Sequence, residues 1–220
     1  MPILIFDFDS TLIRSEGLDE LFARSVEGSP DQAMRTRAFS GITDRGMAGQ
    51  IPFADSLEER ISLLATDRTT VARVAHELAG QLTPSVARHA PFFERNRDRI
   101  YVVSGGFVEL IEPAARELGL DPERVGANRF LYDDREMVTG VDPDTLLARE
   151  GKPGVVRSWG LDPAEVWVVG DGATDLELRE VGLASRFVAF TENRHREPVV
   201  ARADHVAESM EDLVLLLNQH

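Results

Sequence analysis

A short apolar run, Ile3-Leu4-Ile5-Phe6, stops on Asp7-Phe8-Asp9, and that juncture limits what the chain can become. Consecutive apolar residues without alternation suit a strand buried on both faces, as in a parallel sheet covered by helices. Alternate side chains of an extended backbone share a face, so Asp7 and Asp9 are expected to point the same way at the strand's exit. Like charges held side by side away from water are costly unless a cation lies between them. Whatever else converges on this strand end therefore bears on its chemistry.

The same grammar recurs along the chain. Ile100-Tyr101-Val102-Val103 runs into Ser104-Gly105-Gly106, Val166-Trp167-Val168-Val169 runs into Gly170-Asp171-Gly172-Ala173-Thr174-Asp175, and Phe187-Val188-Ala189-Phe190 is a further run. Helical periodicity lies between and after them, in Phe107, Leu110, Ile111 and Ala114, in Val155, Val156 and Trp159 behind Gly151-Lys152-Pro153, and in Leu213, Leu216 and Leu217 behind a Ser209 cap. Strands alternating with helices predict an α/β fold with a doubly wound parallel sheet, which binds ligands at the carboxyl ends of its strands. Residues 14–82 break the alternation. They carry amphipathic stripes (Leu18, Leu21, Phe22, Val26; Phe53, Leu57, Ile61, Leu64; Val71, Val74, Ala75, Leu78) and no strand pattern. The polar stretch around Gly41, Gly46 and Gly49 reads as partly helical at best. The expected division is a core of 1–13 and 83–220 with a helical unit at 14–82 inserted after the first strand. Thr83-Pro84 reads as an N-cap and first-turn proline, with Pro91 kinking or breaking the helix that follows. Residues 127–141, around Asp133-Asp134, read as a short β-hairpin.

Composition removes several function classes. A net charge of −14 over 220 residues repels a phosphate backbone, so no nucleic-acid partner is expected. Without cysteine there is no disulfide, zinc–thiolate site or thiol nucleophile, which is compatible with a cytoplasmic location. No apolar run is long enough to span a bilayer, and no basic segment precedes Ile3, so neither a membrane nor a secretory signal is expected. The five histidines (His76, His89, His195, His205, His220) have no metal-ligand spacing and read as surface or packing residues. Of the 24 basic side chains, Lys152 is the one lysine among arginines. A compact ammonium fits beside a phosphoryl group and a carboxylate where a planar fork is too broad.

Asp7, Asp9, Asp171 and Asp175 all fall at carboxyl ends of predicted strands. Hard oxygen ligands without Cys or His call for Mg²⁺. Ser104 with the Gly105 backbone amide, at a strand-to-helix turn, suits an anion, and Lys152 supplies a positive charge. Together these describe a site for phosphoryl transfer. Arg60 lies seven residues beyond Phe53, in the middle of the apolar stripe with Leu57 and Leu64. A charge there must snorkel, pair or bind something. Glu16 in a first helical turn is suited to the macrodipole.

These residues, in this order, resemble the haloacid dehalogenase superfamily of phosphohydrolases. Its four short motifs stand here as Asp7-Phe8-Asp9-Ser10-Thr11, Ser104-Gly105-Gly106-Phe107, Lys152, and Gly170-Asp171-Gly172-Ala173-Thr174-Asp175. The resemblance narrows to the phosphoserine phosphatase family through Ser15-Glu16-Gly17-Leu18-Asp19-Glu20, Met47-Ala48-Gly49-Gln50-Ile51-Pro52-Phe53, Ser56 to Leu64, and Ala127-Asn128-Arg129. It covers most of residues 3–180. It implies a Rossmann-like core with a small helical cap and a phosphomonoester substrate, L-phosphoserine. It further implies that Asp7 is the nucleophile and Asp9 the acid and base. Mg²⁺ would be held by Asp7, the Asp9 carbonyl and Asp171, with Asp175 close by holding a metal-bound water or Lys152. Ser104, Gly105 and Lys152 would hold the phosphoryl oxygens. Arg60 would clasp the substrate carboxylate and Glu16 its amine, Met47 and Phe53 would close an apolar lid, and Thr174 would join the substrate-binding residues. The sequence departs from the family in Pro153-Gly154 after the lysine and in Arg14 near the mouth. Another small phosphomonoester, transfer to an acceptor other than water, and a phospho-switch like response-regulator receivers remain as alternatives.

Overall fold

The structure, a computed structural model, describes residues 1–47 and 50–219, the side chains of Met47 and Phe53 excepted. The chain runs β1 (Ile3–Phe6), α1 (Gly17–Val26), α2 (Gln32–Met47), α3 (Phe53–Ser62), α4 (Arg68–Ala79), α5 (Pro84–Arg88), α6 (Ala90–Arg95), β2 (Ile100–Phe107), α7 (Val108–Glu117), β3 (Val125–Asn128), β4 (Phe130–Tyr132), β5 (Val138–Val141), α8 (Leu146–Ser158), β6 (Val166–Gly170), α9 (Ala173–Glu180), β7 (Arg186–Phe190), α10 (Glu197–Val200), β8 (His205–Ala207) and α11 (Met210–Leu217). Six strands form one parallel sheet in the order β3-β2-β1-β6-β7-β8, and β4-β5 form a separate antiparallel hairpin. The order reverses at β1, as a doubly wound sheet requires, and the strands flanking β1 are β2, which carries Ser104, and β6, which leads into Asp171.

The sheet is dry on both sides. One face packs through Leu4, Phe6, Val102 and Val169 against α7 and the inserted helices. The other packs through Ile5, Val103, Val168 and Phe187 against α8 and α9. The helices between β1 and β2 share the first of these cores, since Leu21, Phe39, Ile61, Val74 and Leu78 belong to the same cluster as Phe6. Among the described residues no helix is long and apolar enough to cross a membrane.

The elements differ from the sequence reading in four places. Of the stretch read as partly helical, Gly49 lies outside the described residues and Gln32–Met47 is one continuous helix, α2. Phe39 and Ile42 anchor it in the core, and Gly46 lets it close on α3, where a Cβ would stand 2.6 Å from Ser56 Oγ. Val125–Asn128, assigned in part to the hairpin, instead extends the main sheet beside β2. A side chain at Gly126 would meet Val155 Cγ1 at 2.2 Å, so glycine allows α8 to pack over that strand. β2 continues through Ser104-Gly105-Gly106 to Phe107, and its helix starts at Val108. Thr83 precedes α5 without capping it, because its hydroxyl donates to Thr11 O at 2.7 Å. The proline-rich segment does break as expected, into α5 and α6 at His89.

Candidate active site

β1 delivers Asp7 to the sheet's carboxyl edge, where its N–H still donates to Val169 O at 2.9 Å. The chain then makes a wide turn over Phe8–Leu12. Asp9 is extended, Ser10 takes a left-handed conformation (φ 56°, ψ 2°), and Ile13 N–H closes the turn on Phe8 O. A left-handed residue that is not glycine is strained and needs its surroundings to hold it. Ser10 is held at both ends, its N–H donating to Ser15 O and its Oγ to Glu16 Oε1 at 2.7 Å. Gly17, the first residue of α1, donates its N–H to Asp9 Oδ1 at 2.8 Å. Asp9 is otherwise walled by Phe8, Leu18, Gly106, Phe107, Leu110 and Ile111. A Cβ on Gly106 would lie 3.2 Å from both Asp9 Oδ2 and Ser104 Oγ, so the glycine brings the second motif against the first.

Lys152 lies between two acids. Its Nζ donates to Asp7 Oδ1 at 2.8 Å and to Asp175 Oδ1 at 2.6 Å, and the side chain is 7% exposed. Local sequence explains the placement. α8 is interrupted at Gly151 (φ 66°), a conformation glycine adopts without strain, and a new helical run starts at Lys152 with Pro153 behind it. Asp175, fully buried in the first turn of α9, also accepts the Gly172 N–H through Oδ2 at 3.0 Å. Asp171 is buried at the end of β6 and accepts from Arg196 Nε at 2.8 Å.

Burial, then the Glu16 and Asp7 charges, pushes the Asp9 carboxyl well above the ordinary range, against the opposing Gly17 N–H and Lys152. Burial and Asp7 raise Asp171, opposed by Arg196. Burial and Asp7 likewise raise Asp175, opposed by Lys152. Lys152 is pulled down by burial but driven higher by Asp175 and Asp7, ending above a free lysine. Four carboxyls thus share this edge with the Lys152 ammonium and the Arg196 guanidinium. Asp7, Asp171 and Asp175 offer one oxygen each, all within 4.8 Å of one another. A set of buried oxygen donors fits a hard cation. The Asp9 carboxylate is not part of that set and turns instead toward Gly17 and Gly106.

The other predicted residues divide. Ser104 is buried, and its Oγ accepts from Gly106 N at 3.0 Å. Gly105 is fixed by its carbonyl, which accepts from the buried Asn128 at 3.0 Å. Glu16 lies beside the Asp9 turn with Arg194 Nε 3.8 Å away. Arg60 is half-buried on α3, packed over the Phe39 ring at 5.8 Å, and donates from Nε to Ser56 O at 3.3 Å. Burial lowers its pKa against the opposing charges of Asp19, Glu16 and Asp9. Thr174 is exposed on the first turn of α9. The predicted roles of Met47 and Phe53 rest on side chains outside the described residues. Sequence reasoning missed Asn193 and Arg196, in the loop after β7. The available signal was positional, because a loop leaving a parallel strand's carboxyl end opens onto the ligand edge.

Comparison with known proteins identifies the family. Residues 4–180 match the haloacid dehalogenase-like hydrolase family model. Human phosphoserine phosphatase is 31% identical over 217 residues, which is 97% of this chain and 91% of that protein. A phosphoserine phosphohydrolase-like protein from Francisella tularensis superposes with a TM-score of 0.84 at 29% identity, covering 99% of this chain and 100% of that one. A phosphoserine phosphatase solved as a phospho-aspartyl intermediate analogue gives 0.74 at 26% identity, covering 98% of each chain. The chain belongs to the haloacid dehalogenase-like hydrolases and, within them, to the phosphoserine phosphatase family.

Proposed function

We propose that the protein hydrolyses L-phosphoserine to L-serine and phosphate through a phosphorylated Asp7, with residues 14–82 acting as the cap over the site. The observation that carries this reading is Lys152 Nζ fixed between Asp7 Oδ1 and Asp175 Oδ1 at the edge that also holds Asp171 and Ser104. Asp7 Oδ1 is committed to Lys152, so Oδ2 is the attacking oxygen. As the Oδ2–P bond forms, the ester P–O bond breaks and the seryl oxygen takes the Asp9 proton. Asp9, now ionised, removes a proton from the water that attacks phosphorus, which frees phosphate and restores Asp7. A carboxyl raised by burial suits both halves of that exchange. Lys152, the Ser104 hydroxyl and the Gly105 amide would hold the phosphoryl oxygens. Asp7, Asp171 and the Asp9 carbonyl would hold Mg²⁺, with Asp175 alongside, and when bound it supplies charge neutralisation for the entering phosphoryl group.

Substrate choice rests on Arg60, Glu16, Thr174 and the Met47–Phe53 segment. Arg60 would take the carboxylate of phosphoserine and Glu16 the amine. Arg60→Ala is expected to lower kcat/KM for phosphoserine by roughly 30-fold, about 2 kcal/mol of charge pairing, while leaving p-nitrophenyl phosphate within a few-fold. Steady-state rates over a panel of small phosphomonoesters test this. If wild type prefers p-nitrophenyl phosphate over phosphoserine, the substrate assignment fails and the hydrolase reading stands.

Asp9→Asn separates stability from chemistry. A carboxyl whose folded pKa is raised stabilises the fold below its unfolded pKa, and that contribution is lost as pH rises through the folded value. The asparagine variant should therefore melt higher than wild type at pH 8, with the gap closing toward pH 4. Its kcat should fall by about 10²–10⁴-fold. A melting gap independent of pH would place the effect in packing and remove Asp9 as a raised-pKa group.

A further inference from the structure

The loop after β7 reaches back across the sheet's edge, and its Asn193 enters the seam between the catalytic turn and the inserted helices. Nδ2 faces three oxygens, Thr83 Oγ1 at 2.6 Å, Ser10 O at 3.1 Å and Ile13 O at 3.4 Å. None of them can donate to it. Two are carbonyls, and the Thr83 hydroxyl spends its proton on Thr11 O. The site therefore requires a donor, which orients the amide with its NH₂ inward.

Each acceptor belongs to a different part of the machinery. Ser10 is the left-handed residue directly after Asp9. Ile13 lies on the segment leaving for the helical insertion, where it bridges to Leu82, and Thr83 lies on the segment returning from it. Those linkers are already joined, by Arg14 N to Gln81 O at 3.1 Å and Thr83 N to Leu12 O at 2.9 Å. Asn193 ties the pair to the turn. The loop is itself anchored, since Glu192 accepts from Ser85 N at 3.1 Å and from Ser85 Oγ. The Ser10 that Asn193 holds also donates to Glu16, and the next residue's N–H lies on Asp9 Oδ1. A shift of Ser10 is thus transmitted to the group that aims Asp9.

We propose that Asn193 is a positioning residue for the reaction, locking the strained turn that aims Asp9 to both linkers of the helical insertion. It touches no reacting atom. The inference rests on the reading of Asp9 as proton donor to the leaving group, and the experiment separates the two. An alkoxide leaving group needs that proton, whereas p-nitrophenolate leaves without it.

The test measures kcat/KM for wild type, Asn193→Ala, Asn193→Asp and Asp9→Asn, using the best alkyl phosphomonoester and p-nitrophenyl phosphate, with melting curves to set an assay temperature at which each variant is folded. Asn193→Asp keeps the shape but sets a carboxylate against three acceptors, and Asn193→Ala only removes the donor. The alkyl ester should lose roughly 100-fold in the aspartate variant and roughly 10-fold in the alanine variant, with p-nitrophenyl phosphate within threefold in both. If Asn193→Asp does not fold, the alanine variant carries the same comparison. Equal losses on both substrates, or rates within twofold of wild type, overturn the inference if Asp9→Asn still discriminates between leaving groups. If Asp9→Asn does not discriminate, both the proton-donor reading and the inference fall.

Discussion

Asp7→Asn is expected to reduce turnover by at least about 10⁴-fold, with the fold intact. The amide keeps a carbonyl oxygen where Asp7 Oδ1 accepts from Lys152 Nζ at 2.8 Å, so the buried ammonium retains that partner. What disappears is the anionic oxygen that forms the bond to phosphorus. The charge removed also bears on its neighbours. Asp7 is among the causes that raise both Asp171 and Asp175, so in the variant both carboxyls should fall back toward the ordinary range. Acid quenching of the enzyme mixed with labelled substrate distinguishes loss of the nucleophile from loss of binding. Wild type should retain acid-stable, alkali-labile label, Asp9→Asn should accumulate more of it from p-nitrophenyl phosphate, and Asp7→Asn should hold none. Label on Asp7→Asn, or turnover above about 1% of wild type, would move the nucleophile elsewhere.

The parts of this site legible in the sequence share a physical reason. β1 and β6 are apolar throughout, β2 is apolar over residues 100–103 and β7 over residues 187–190, because both sheet faces are covered, and the residues that follow these runs must stand at one edge. Asp7, Ser104 and Asp171 could thus be brought together from periodicity alone, and Lys152 stood out as the single lysine. The parts that were not legible depend on neighbours the sequence does not reveal. β8 is three residues long and has no period to detect. α2 is polar around Gly41 and Gly46 and earns its helix from Phe39, Ile42 and its close approach to α3. Asn193 and Arg196 look like ordinary loop residues until β7 is placed beside β6, which sets their loop against Ser10 and Asp171. Thr83 departs from the cap its sequence suggests for the same reason. Its hydroxyl donates to Thr11 O and accepts from Asn193 Nδ2, partners 72 and 110 residues away.

Lys152→Ala should produce the largest loss of stability of any single change at the site. Removing one member of a buried, hydrogen-bonded ion cluster leaves the others uncompensated, at about 3–5 kcal/mol. For a chain of this length that corresponds to a fall in Tm of about 6–20 °C in metal-free buffer. The pH dependence identifies the cause. Without the ammonium, the charged form of Asp175 loses the counter-ion that opposes its rise, and its folded pKa climbs further. A raised carboxyl supports the fold below its unfolded pKa and ceases to do so as pH climbs through the folded one. The Tm gap from wild type should therefore be wide at pH 8 and narrow toward pH 5, as Asp175 takes up a proton instead of needing Lys152. Lys152→Arg should recover part of the Tm, because charge is restored, and little of the turnover. A planar guanidinium cannot put one nitrogen where Nζ meets Asp7 at 2.8 Å and Asp175 at 2.6 Å. Added Mg²⁺ should raise the Tm of Lys152→Ala more than that of wild type, since it meets a larger excess of negative charge among Asp7, Asp171 and Asp175. A gap that stays constant from pH 5 to 8 would assign Lys152 a packing role, and the site would then tolerate its three acids without a cation between them.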